Sequence, residues 1–208
     1  MSLLTHRRAL LSAKGKVLPY AYQQVEYLES TGTQYIDTGI VPNNETGFCL
    51  IAAFPEIVND IYRFGCKGSG SENRFIVATQ GSAIYFGFNG IIPNSGKWSI
   101  HPNHFYKLEL NFFNSRYADV DNRSPHFLNY SWGGIPYSAL MFGRNSNGNI
   151  SASAQKIKEC KMTQGEKLVR DFIPCYRKAD NEAGLYDLVN GKFYTNKGTG
   201  EFILGGEV

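Results

Sequence analysis

The sequence lacks the features that mark a membrane protein or a nucleic-acid-binding protein. No apolar run is long enough for a membrane-spanning helix. Charged residues make up only 19% of the 208 residues, and the net charge is +3. Arg7, Arg8, Lys14 and Lys16 precede the first acidic residue, which leaves 17 of the 21 basic residues to face 18 acidic ones. We therefore expect neither a membrane span nor a nucleic-acid partner.

Cysteine is scarce as well. The four cysteines are Cys49, Cys66, Cys160 and Cys175, and no two of them form a CxxC pair. No histidine lies at zinc-ligand spacing from them. Because a domain of this length can bury a core without covalent staples, we expect buried free thiols rather than disulfides.

Common catalytic motifs are absent too. The sequence has no P-loop, no GxSxG turn and no dinucleotide-binding fingerprint. A retaining glycosidase needs two carboxylates about 5 Å apart, and on a β-sandwich one strand commonly supplies them as E-x-D-x-E. The nearest match is Asp119-Val120-Asp121, which has no glutamate beside it. His101 and His104 lie in a proline-containing loop without an acidic third ligand, so we expect surface residues there and no enzymatic activity.

The sequence is rich in period-two alternation between glycine-containing turns, which is typical of β-strands. Residues 47–54, GFCLIAAF, form a continuous apolar run and predict a strand buried on both faces. Residues 105–113 alternate apolar and polar side chains and predict a half-exposed antiparallel strand. Asn190-Gly191 between two apolar and aromatic runs predicts a hairpin closed by a two-residue type I′ turn.

About a dozen such strands and no convincing helix after residue 18 predict an all-β fold. A barrel and a two-sheet sandwich both fit this pattern. The long strands and the absence of a repeat favour a two-sheet antiparallel jelly-roll sandwich over residues 19–208.

Residues 1–18 form a separate basic segment. Leu3, Leu4, Leu10 and Leu11 recur at a seven-residue spacing around the two arginines. A short amphipathic helix is compatible with that spacing, although so few turns are marginal alone in water. Two interpretations stay open: a disordered tail, or a docking peptide that orders on its partner.

Two segments resemble a known family of β-sandwich modules. Residues 27–40, YLESTGTQYIDTGI, and residues 168–195, LVRDFIPCYRKADNEAGLYDLVNGKFYT, are similar to the opening and closing strands of concanavalin A-like (laminin-G-like) jelly-roll modules. Such modules occur in gut bacteria and in their phages and prophages, and a basic N-terminal peptide joined to one resembles small phage tail or fibre-associated proteins. The resemblance implies that the first and last strands meet in one sheet. It implies no particular ligand, because these modules occur in carbohydrate-binding, adhesive and structural proteins alike.

Aspartates beside turns have a structural and a metal-binding interpretation. Asp37 and Asp187 are expected to accept hydrogen bonds from loop amides rather than to take part in catalysis.

Many laminin-G-like modules hold calcium at the rim of the sandwich, and Asp119, Asp121 and Asn122 group oxygen ligands in DVDN. A calcium site and a solvated turn both fit this group, and we expect no other cofactor.

Sugar binding needs exposed aromatic rings that stack on sugar faces, together with a few polar groups that fix orientation. Trp98, Trp132 and Tyr137 lie in loop-like contexts rich in glycine and proline, and Asn129 and Asn145 are close in sequence. These five residues are the candidate glycan site. The alternative is that each ring packs in the core or at its edge.

The leading functional hypothesis is a non-catalytic module that acts as a structural or receptor/glycan-facing component of a phage, prophage or bacterial surface assembly. Residues 1–18 would attach it to other proteins of the virion or surface assembly, and the sandwich would present loops to glycans. The expected location is a virion or phage-derived particle assembled in bacterial cytoplasm, with the bacterial cell surface as the alternative. Two other hypotheses stay open: a purely structural protein that forms a homo-oligomer, and a divergent glycoside hydrolase.

Overall fold

The computed structural model describes residues 17–69, 73–88, 98–111, 113, 117–123, 125–127 and 132–208. Across these ranges the chain forms strands and no helix, so none is present that is long and apolar enough to cross a membrane. The strands are β1 (Tyr22–Gln24), β2 (Leu28–Thr31), β3 (Ile36–Asp37), β4 (Thr46–Ala53), β5 (Ile61–Lys67), β6 (Arg74–Gln80), β7 (Ala83–Phe88), β8 (Trp98–Ser99), β9 (Tyr106–Asn111), β10 (Tyr117–Val120), β11 (His126–Phe127), β12 (Leu140–Met141), β13 (Gly143–Ser146), β14 (Asn149–Ala152), β15 (Ala154–Gln164), β16 (Lys167–Arg177), β17 (Glu182–Asp187), β18 (Lys192–Thr195) and β19 (Ile203–Leu204).

These strands pair into two sheets. The larger sheet has the order β11-β10-β9-β4-β15-β16-β17-β18, and β1, β2 and β19 pair beside it. The smaller sheet has the order β14-β13-β5-β6-β7-β8, and β3 and β12 pair beside it. Pairing is antiparallel except between β13 and β5, which run parallel. The described chain is therefore a two-sheet sandwich, and the predicted all-β fold class is confirmed.

Phenylalanine rings from the two inner faces build the core. The ring centroid of Phe48 in β4 lies 4.7 Å from that of Phe64 in β5 and 5.6 Å from that of Phe75 in β6. All three side chains are fully buried. Aromatic side chains bury on the order of 150–250 Å² each, so this contact is a large part of what holds the sheets together. Strand β4 is buried on both faces, as residues 47–54 predict.

The two ends of the described chain meet in the larger sheet, as the family resemblance implies. Strand β19 pairs with β2, and Val25 forms an isolated bridge with Glu207. Strand β1 pairs with β16 next to the hairpin that β17 and β18 form. The N-terminal and C-terminal segments are thus neighbours in one layer.

Asp37 and Asp187 hold loop amides, which confirms their predicted role. Asp37 Oδ1 accepts a hydrogen bond from the Gly39 backbone N–H at 2.8 Å. Asp187 Oδ1 accepts from the backbone N–H of Val189 and of Asp171, both at 2.9 Å. Each carboxylate therefore fixes the path of the chain where a strand ends.

The hairpin at Asn190-Gly191 forms, but the predicted two-residue turn is wrong. Strand β17 ends at Asp187 and β18 begins at Lys192, so four residues connect them. Only Gly191 of the pair has a positive φ, at 71°, whereas a type I′ turn needs positive φ at both positions. The longer loop lets Leu188 pack into an apolar cluster on the outer face of the larger sheet.

The strand predicted over residues 105–113 is not half-exposed. Strand β9 covers Tyr106–Asn111, and its residues Leu108 and Leu110 belong to the core. On the opposite face Glu109 and Asn111 are buried too, with 1% and 0% of their surface exposed. Alternation indicates which side chains share a face, but polar identity alone does not show that the face is open to water.

An arginine joins the two sheets. Arg63 is fully buried in β5, and its Nη1 donates to the backbone oxygen of Ala154 in β15 at 2.7 Å. Its Nη2 donates to the Glu56 backbone oxygen at 2.7 Å, and its own carbonyl accepts from Gln155 Nε2 at 2.5 Å. Burial lowers the pKa of Arg63 to about 10, against the opposing charge of Glu56. The guanidinium therefore bonds one carbonyl of the larger sheet and one of the loop between β4 and β5.

All four cysteines are free and buried, which confirms the predicted thiols. Cys66 and Cys160 belong to the main core, and Cys175 belongs to the apolar cluster on the outer face of the larger sheet. Burial raises the pKa of the Cys49 and Cys175 thiols to about 12. The thiols are therefore protonated at neutral pH and weakly nucleophilic.

Candidate functional site

Three of the five residues predicted to bind glycan lie at one end of the smaller sheet. Trp132 and Tyr137 lie on the strand-free segment 132–139. The half-buried Trp132 ring has its centroid 4.7 Å from that of Phe88, the last residue of β7. The Tyr137 hydroxyl donates to Asn147 Oδ1 at 2.8 Å, and Asn147 lies in the turn after the strand that carries Asn145. We call Trp132, Tyr137 and Asn145 the rim group.

Strand register fixes the distance across the rim group. Phe88 pairs with Phe75, Phe75 with Cys66, and Cys66 with Asn145. Trp132 packs on Phe88 at one side of the sheet, and Asn145 lies at the other side. Three strand spacings separate Phe88 from Asn145, so the rim group is about 14 Å wide.

The other two predicted glycan residues do not join this group. Trp98 is only 6% exposed, and its ring centroid lies 5.4 Å from that of Phe86 and 4.9 Å from that of His126. Its Nε1 is buried without a hydrogen-bond partner. A ring held this way offers a sugar little surface to stack on. Asn129 lies outside the described residues, and glycan binding by both residues stays a prediction.

The candidate calcium ligands are divided between a strand and a turn. Asp119 is fully buried in β10, whereas Asp121 and Asn122 are exposed and both have a φ of 55°. Asp121 Oδ1 accepts a hydrogen bond from the Lys107 backbone N–H at 2.8 Å, so it already serves the turn. Within the described ranges, no three His, Cys, Asp or Glu side chains are placed to hold a metal ion. The calcium hypothesis stays a prediction.

The two loop histidines lie beside a tyrosine. The backbone N–H of His101 donates to the Tyr106 hydroxyl at 2.9 Å, and the His104 ring centroid lies 4.6 Å from that of Tyr106. Both histidines are exposed. This placement matches the surface residues that the sequence predicts.

A row of polar side chains crosses the outer face of the larger sheet. Strand pairing sets Asp119 opposite Glu109, Glu109 opposite Cys49, Cys49 opposite Lys161, and Lys161 opposite Asp171. Opposed residues on one face of a sheet are side-chain neighbours. Four strand spacings give the row a length of about 19 Å. We call these five residues the polar strip.

Lysines pair with the acids of the polar strip. Lys107 Nζ lies 2.9 Å from Glu109 Oε1, and Lys161 Nζ lies 3.4 Å from Asp171 Oδ1 and also contacts Glu159. Burial lowers the pKa of Lys161, but the hydrogen bond and charge of Glu159, with those of Asp171, raise it above its ordinary value overall. Burial raises the pKa of Asp171, and Lys161 opposes that shift.

The polar strip is buried although it lies on an outer face. Asp119, Glu109, Cys49 and Asp171 expose 0%, 1%, 5% and 3% of their surface. Cys49, and Tyr117 opposite Asn111 on β10, belong to none of the three apolar clusters formed in the described part of the chain. The cover over this part of the sheet is therefore not one of those clusters.

Two polar groups beside the strip have no hydrogen-bond partner. Asn111 follows Glu109 on the same face of β9, and Thr163 follows Lys161 on the same face of β15, opposite Gly47. Both residues are fully buried, and Asn111 Nδ2 and Thr163 Oγ1 are unpartnered. A buried donor without a partner costs about 1–3 kcal/mol, and Arg63 Nε and Gln155 Oε1 in the interior carry the same kind of cost.

The polar strip was not among the candidate sites that the sequence indicates. Its signal was present as polar residues at every second position, in Lys107, Glu109 and Asn111 and again in Glu159 and Lys161. Each run alone predicts an ordinary solvated strand face. Only the register between β10, β9, β4, β15 and β16 shows that the polar positions of distant segments adjoin.

Comparison with models of known protein families finds no match, and comparison with curated proteins finds none either. The class that the geometry defines is an all-β, two-sheet sandwich with a polar strip on one outer face and an aromatic rim group at one end of the other sheet. The resemblance to concanavalin A-like modules stays a prediction from the terminal motifs.

Proposed function

We propose that this chain is a non-catalytic concanavalin A-like module that acts as a structural or receptor/glycan-facing component of a phage, prophage or bacterial surface assembly. The two-sheet sandwich supports this proposal, because its first and last strands pair in one layer as the resemblance implies. The fold alone does not select a ligand, since one architecture serves many functions. The ligand is therefore argued from the rim group.

The observation that carries the glycan-facing role is the convergence of the rim group. Trp132 and Tyr137 lie on a strand-free segment, are half-buried and therefore still expose part of their rings. The Tyr137 hydroxyl and the side-chain amides of Asn145 and Asn147 supply donors and acceptors nearby. Sugar recognition combines an apolar ring face with a few oriented polar groups, and this end of the smaller sheet carries both.

Attachment to the assembly is the role we propose for residues 1–18. This segment carries four basic residues and no acidic residue. The partner proteins would present acidic surfaces, because opposite charges steer association. The alternative is a purely structural protein that forms a homo-oligomer and binds no sugar.

A glycan array tests the glycan-facing role. We expect the full chain to bind a subset of glycans, and Trp132→Ala to lose at least about tenfold in affinity because the stacking platform is removed. Tyr137→Phe removes only the hydroxyl and should have a smaller effect. Tyr20→Ala is the matched control, since Tyr20 is 90% exposed and lies outside the rim group. An array on which the wild-type chain binds nothing contradicts the role.

One observation favours a second candidate, a glycoside hydrolase. Glu109 and Asp119 are directly opposite each other on neighbouring strands, and glycosidases use two carboxylates at short separation. Both are almost fully buried, so a substrate would reach them only after the cover over the strip moves. Release of reducing sugar from a polysaccharide panel, abolished by Glu109→Gln and kept by Glu159→Gln, would support this candidate. No release from any polysaccharide would remove it.

A further inference from the structure

The rim group and the neighbouring Asn147 present hydrogen-bond donors. Asn145 Oδ1 accepts from the backbone N–H of Gly148 at 3.0 Å, and Asn147 Oδ1 accepts from the Tyr137 hydroxyl at 2.8 Å. Both amide oxygens are therefore occupied inside the protein. Neither Nδ2 atom donates a hydrogen bond to another residue that the structure describes. The two side chains therefore offer N–H groups to a ligand.

A lysine lies between the two sides of the rim group. Lys67 is the last residue of β5, which adjoins β13 on one side and is two strands from β7 on the other. The Lys67 backbone oxygen accepts from the backbone N–H of Asn147 at 2.9 Å. Gly134 of the strand-free segment approaches the next residue, because a Cβ placed on Gly68 would lie 3.9 Å from the Gly134 oxygen. Lys67 therefore adjoins both segments that build the rim group.

Lys67 is half-buried and has no carboxylate partner within the described residues. The strands of the path β14-β13-β5-β6-β7-β8 contain no acidic residue, and their basic residues are Arg63, Lys67, Arg74 and Arg144. Asp37 belongs to β3, which is two strands from β5, and its carboxylate holds the Gly39 amide. Glu72, in the connection between β5 and β6, lies outside the described residues. The described part of this sheet thus leaves the ammonium group of Lys67 without a counter-charge.

A set of donors around a cation selects a ligand by its charge. An ionised carboxylate only accepts hydrogen bonds, and bonds between ionised partners are roughly twice as strong as bonds between neutral ones. A neutral sugar hydroxyl has a proton of its own to donate, and it brings no opposite charge to Lys67. The chemistry at this end of the sheet therefore favours an anionic group on the ligand.

We propose that the ligand of the rim group is an acidic glycan, whose carboxylate or sulfate group binds Lys67 and the amide N–H groups of Asn145 and Asn147. Trp132 packs on β7, two strand spacings or about 10 Å from β5. An oligosaccharide would therefore stack one ring on Trp132 and bring the acidic group of another ring to Lys67. This inference rests on the proposed glycan-facing role and adds the charge of the ligand.

A glycan array built from matched pairs tests the proposal with the full chain. Each uronic acid oligosaccharide is printed beside the neutral hexose oligosaccharide of the same linkages, and each sulfated glycan beside its unsulfated form. We expect wild type to bind the acidic member of a pair about tenfold more tightly, and the kind of pair identifies the acid. Binding without preference for the acidic members overturns this inference and leaves the glycan-facing role standing. An array without any binding contradicts that role itself.

Substitution of Lys67 tests which residue reads the charge. Lys67→Met removes the ammonium group and keeps an unbranched side chain, so affinity for the acidic member should fall about fivefold and the preference within a pair should shrink accordingly. Lys67→Arg keeps the charge and should keep the preference, whereas Trp132→Ala should weaken binding of both members. Lys192→Met is the matched control, because Lys192 is an exposed lysine on β18 of the other sheet. A full preference in Lys67→Met, or an equal loss in Lys192→Met, overturns the assignment to Lys67.

The salt dependence of wild-type binding tests the ionic contact without any substitution. Exposed charges are screened as sodium chloride rises from about 50 mM to about 500 mM. Affinity for the acidic member of a pair should therefore fall over this range, while affinity for the neutral member should change little. A preference for the acidic member that is independent of salt would overturn recognition through the charge of Lys67.

Discussion

Two buried polar regions of this sandwich differ in how their hydrogen bonds are satisfied. Arg63 is fully buried, and its guanidinium and carbonyl bond to Glu56, Ala154 and Gln155. The polar strip is buried as deeply, but its described ion pairs join side chains of one sheet. Both regions keep unpartnered atoms, which are Arg63 Nε and Gln155 Oε1 in the first and Asn111 Nδ2 and Thr163 Oγ1 beside the second. The regions therefore differ in what they join, because Arg63 connects the larger sheet with the loop before β5.

This difference separates a contact that fixes distant segments from contacts that offset the burial of charge. A buried polar group costs stability when it stays unpartnered, and a buried carboxylate costs more when no cation lies beside it. Arg63 holds the carbonyls of Ala154 and Glu56 together, whereas Lys161 offsets the burial of Asp171.

Substitution of Arg63 should have the largest effect. Arg63→Met removes the guanidinium and leaves the carbonyls of Ala154 and Glu56 buried without their donors. We expect a loss of about 4 kcal/mol in the free energy of unfolding, measured by guanidinium denaturation. Arg177→Met is the control, because Arg177 pairs with Asp180 at the surface. A loss no larger than that of the control would contradict the role of Arg63.

Removal of the strip lysine should have an intermediate effect. Lys161→Met leaves Asp171, which is 3% exposed, without its cation, and we expect a loss of about 2 kcal/mol. Lys158→Met on the same strand is the control, because Lys158 is exposed, and it should change stability by less than about 0.5 kcal/mol.

The effect of Lys161 should depend on pH. Its pKa is raised above the ordinary value of 10.5, so its stabilising contribution is fully present below that pH and is lost as pH rises through the folded-state pKa. The difference in unfolding free energy between wild type and Lys161→Met should be constant between neutral pH and about pH 10 and shrink above it. A difference that grows at alkaline pH would contradict the sign of this shift.

The smallest expected effect comes from comparing two buried threonines, Thr79 near Arg63 and Thr163 beside the polar strip. Both are fully buried, but Thr79 Oγ1 donates to the Val58 carbonyl at 3.0 Å, whereas Thr163 Oγ1 has no partner. Thr79→Val should cost about 1 kcal/mol, and Thr163→Val should be neutral or slightly stabilising. Differential scanning calorimetry of the two variants measures the contrast. Equal losses would show that the Thr163 hydroxyl is satisfied after all.

Local sequence patterns predicted the parts of this fold that depend on neighbours along the chain. Period-two alternation predicted the long strands. The position of Asp37 and Asp187 beside turns predicted that their carboxylates accept hydrogen bonds from nearby backbone amides. The turn at Asn190-Gly191 was predicted wrongly, because Leu188 packs into a cluster built by distant strands. The burial of Glu109 was missed for a related reason, since cover over a sheet face comes from elsewhere in the chain.

Site prediction was limited by register. Trp132, Tyr137 and Asn145 were grouped from composition, and the sandwich does bring them to one end of a sheet, while Trp98 packs inside. The polar strip joins residues from positions 49 to 171. No spacing rule connects them, because a one-residue shift in any pairing would bring the opposite face of that strand into the row.

Pairing of the chain ends has a mechanical consequence. Strand β19 lies along β2, and the Val208 N–H donates to the Gln24 carbonyl at 3.2 Å. A tension applied between residue 19 and residue 208 is therefore taken up by these short strands before it reaches the sheets behind them. If both ends were attached to a larger particle, force would first break the pairing between β19 and β2. The rest of the sandwich would stay folded.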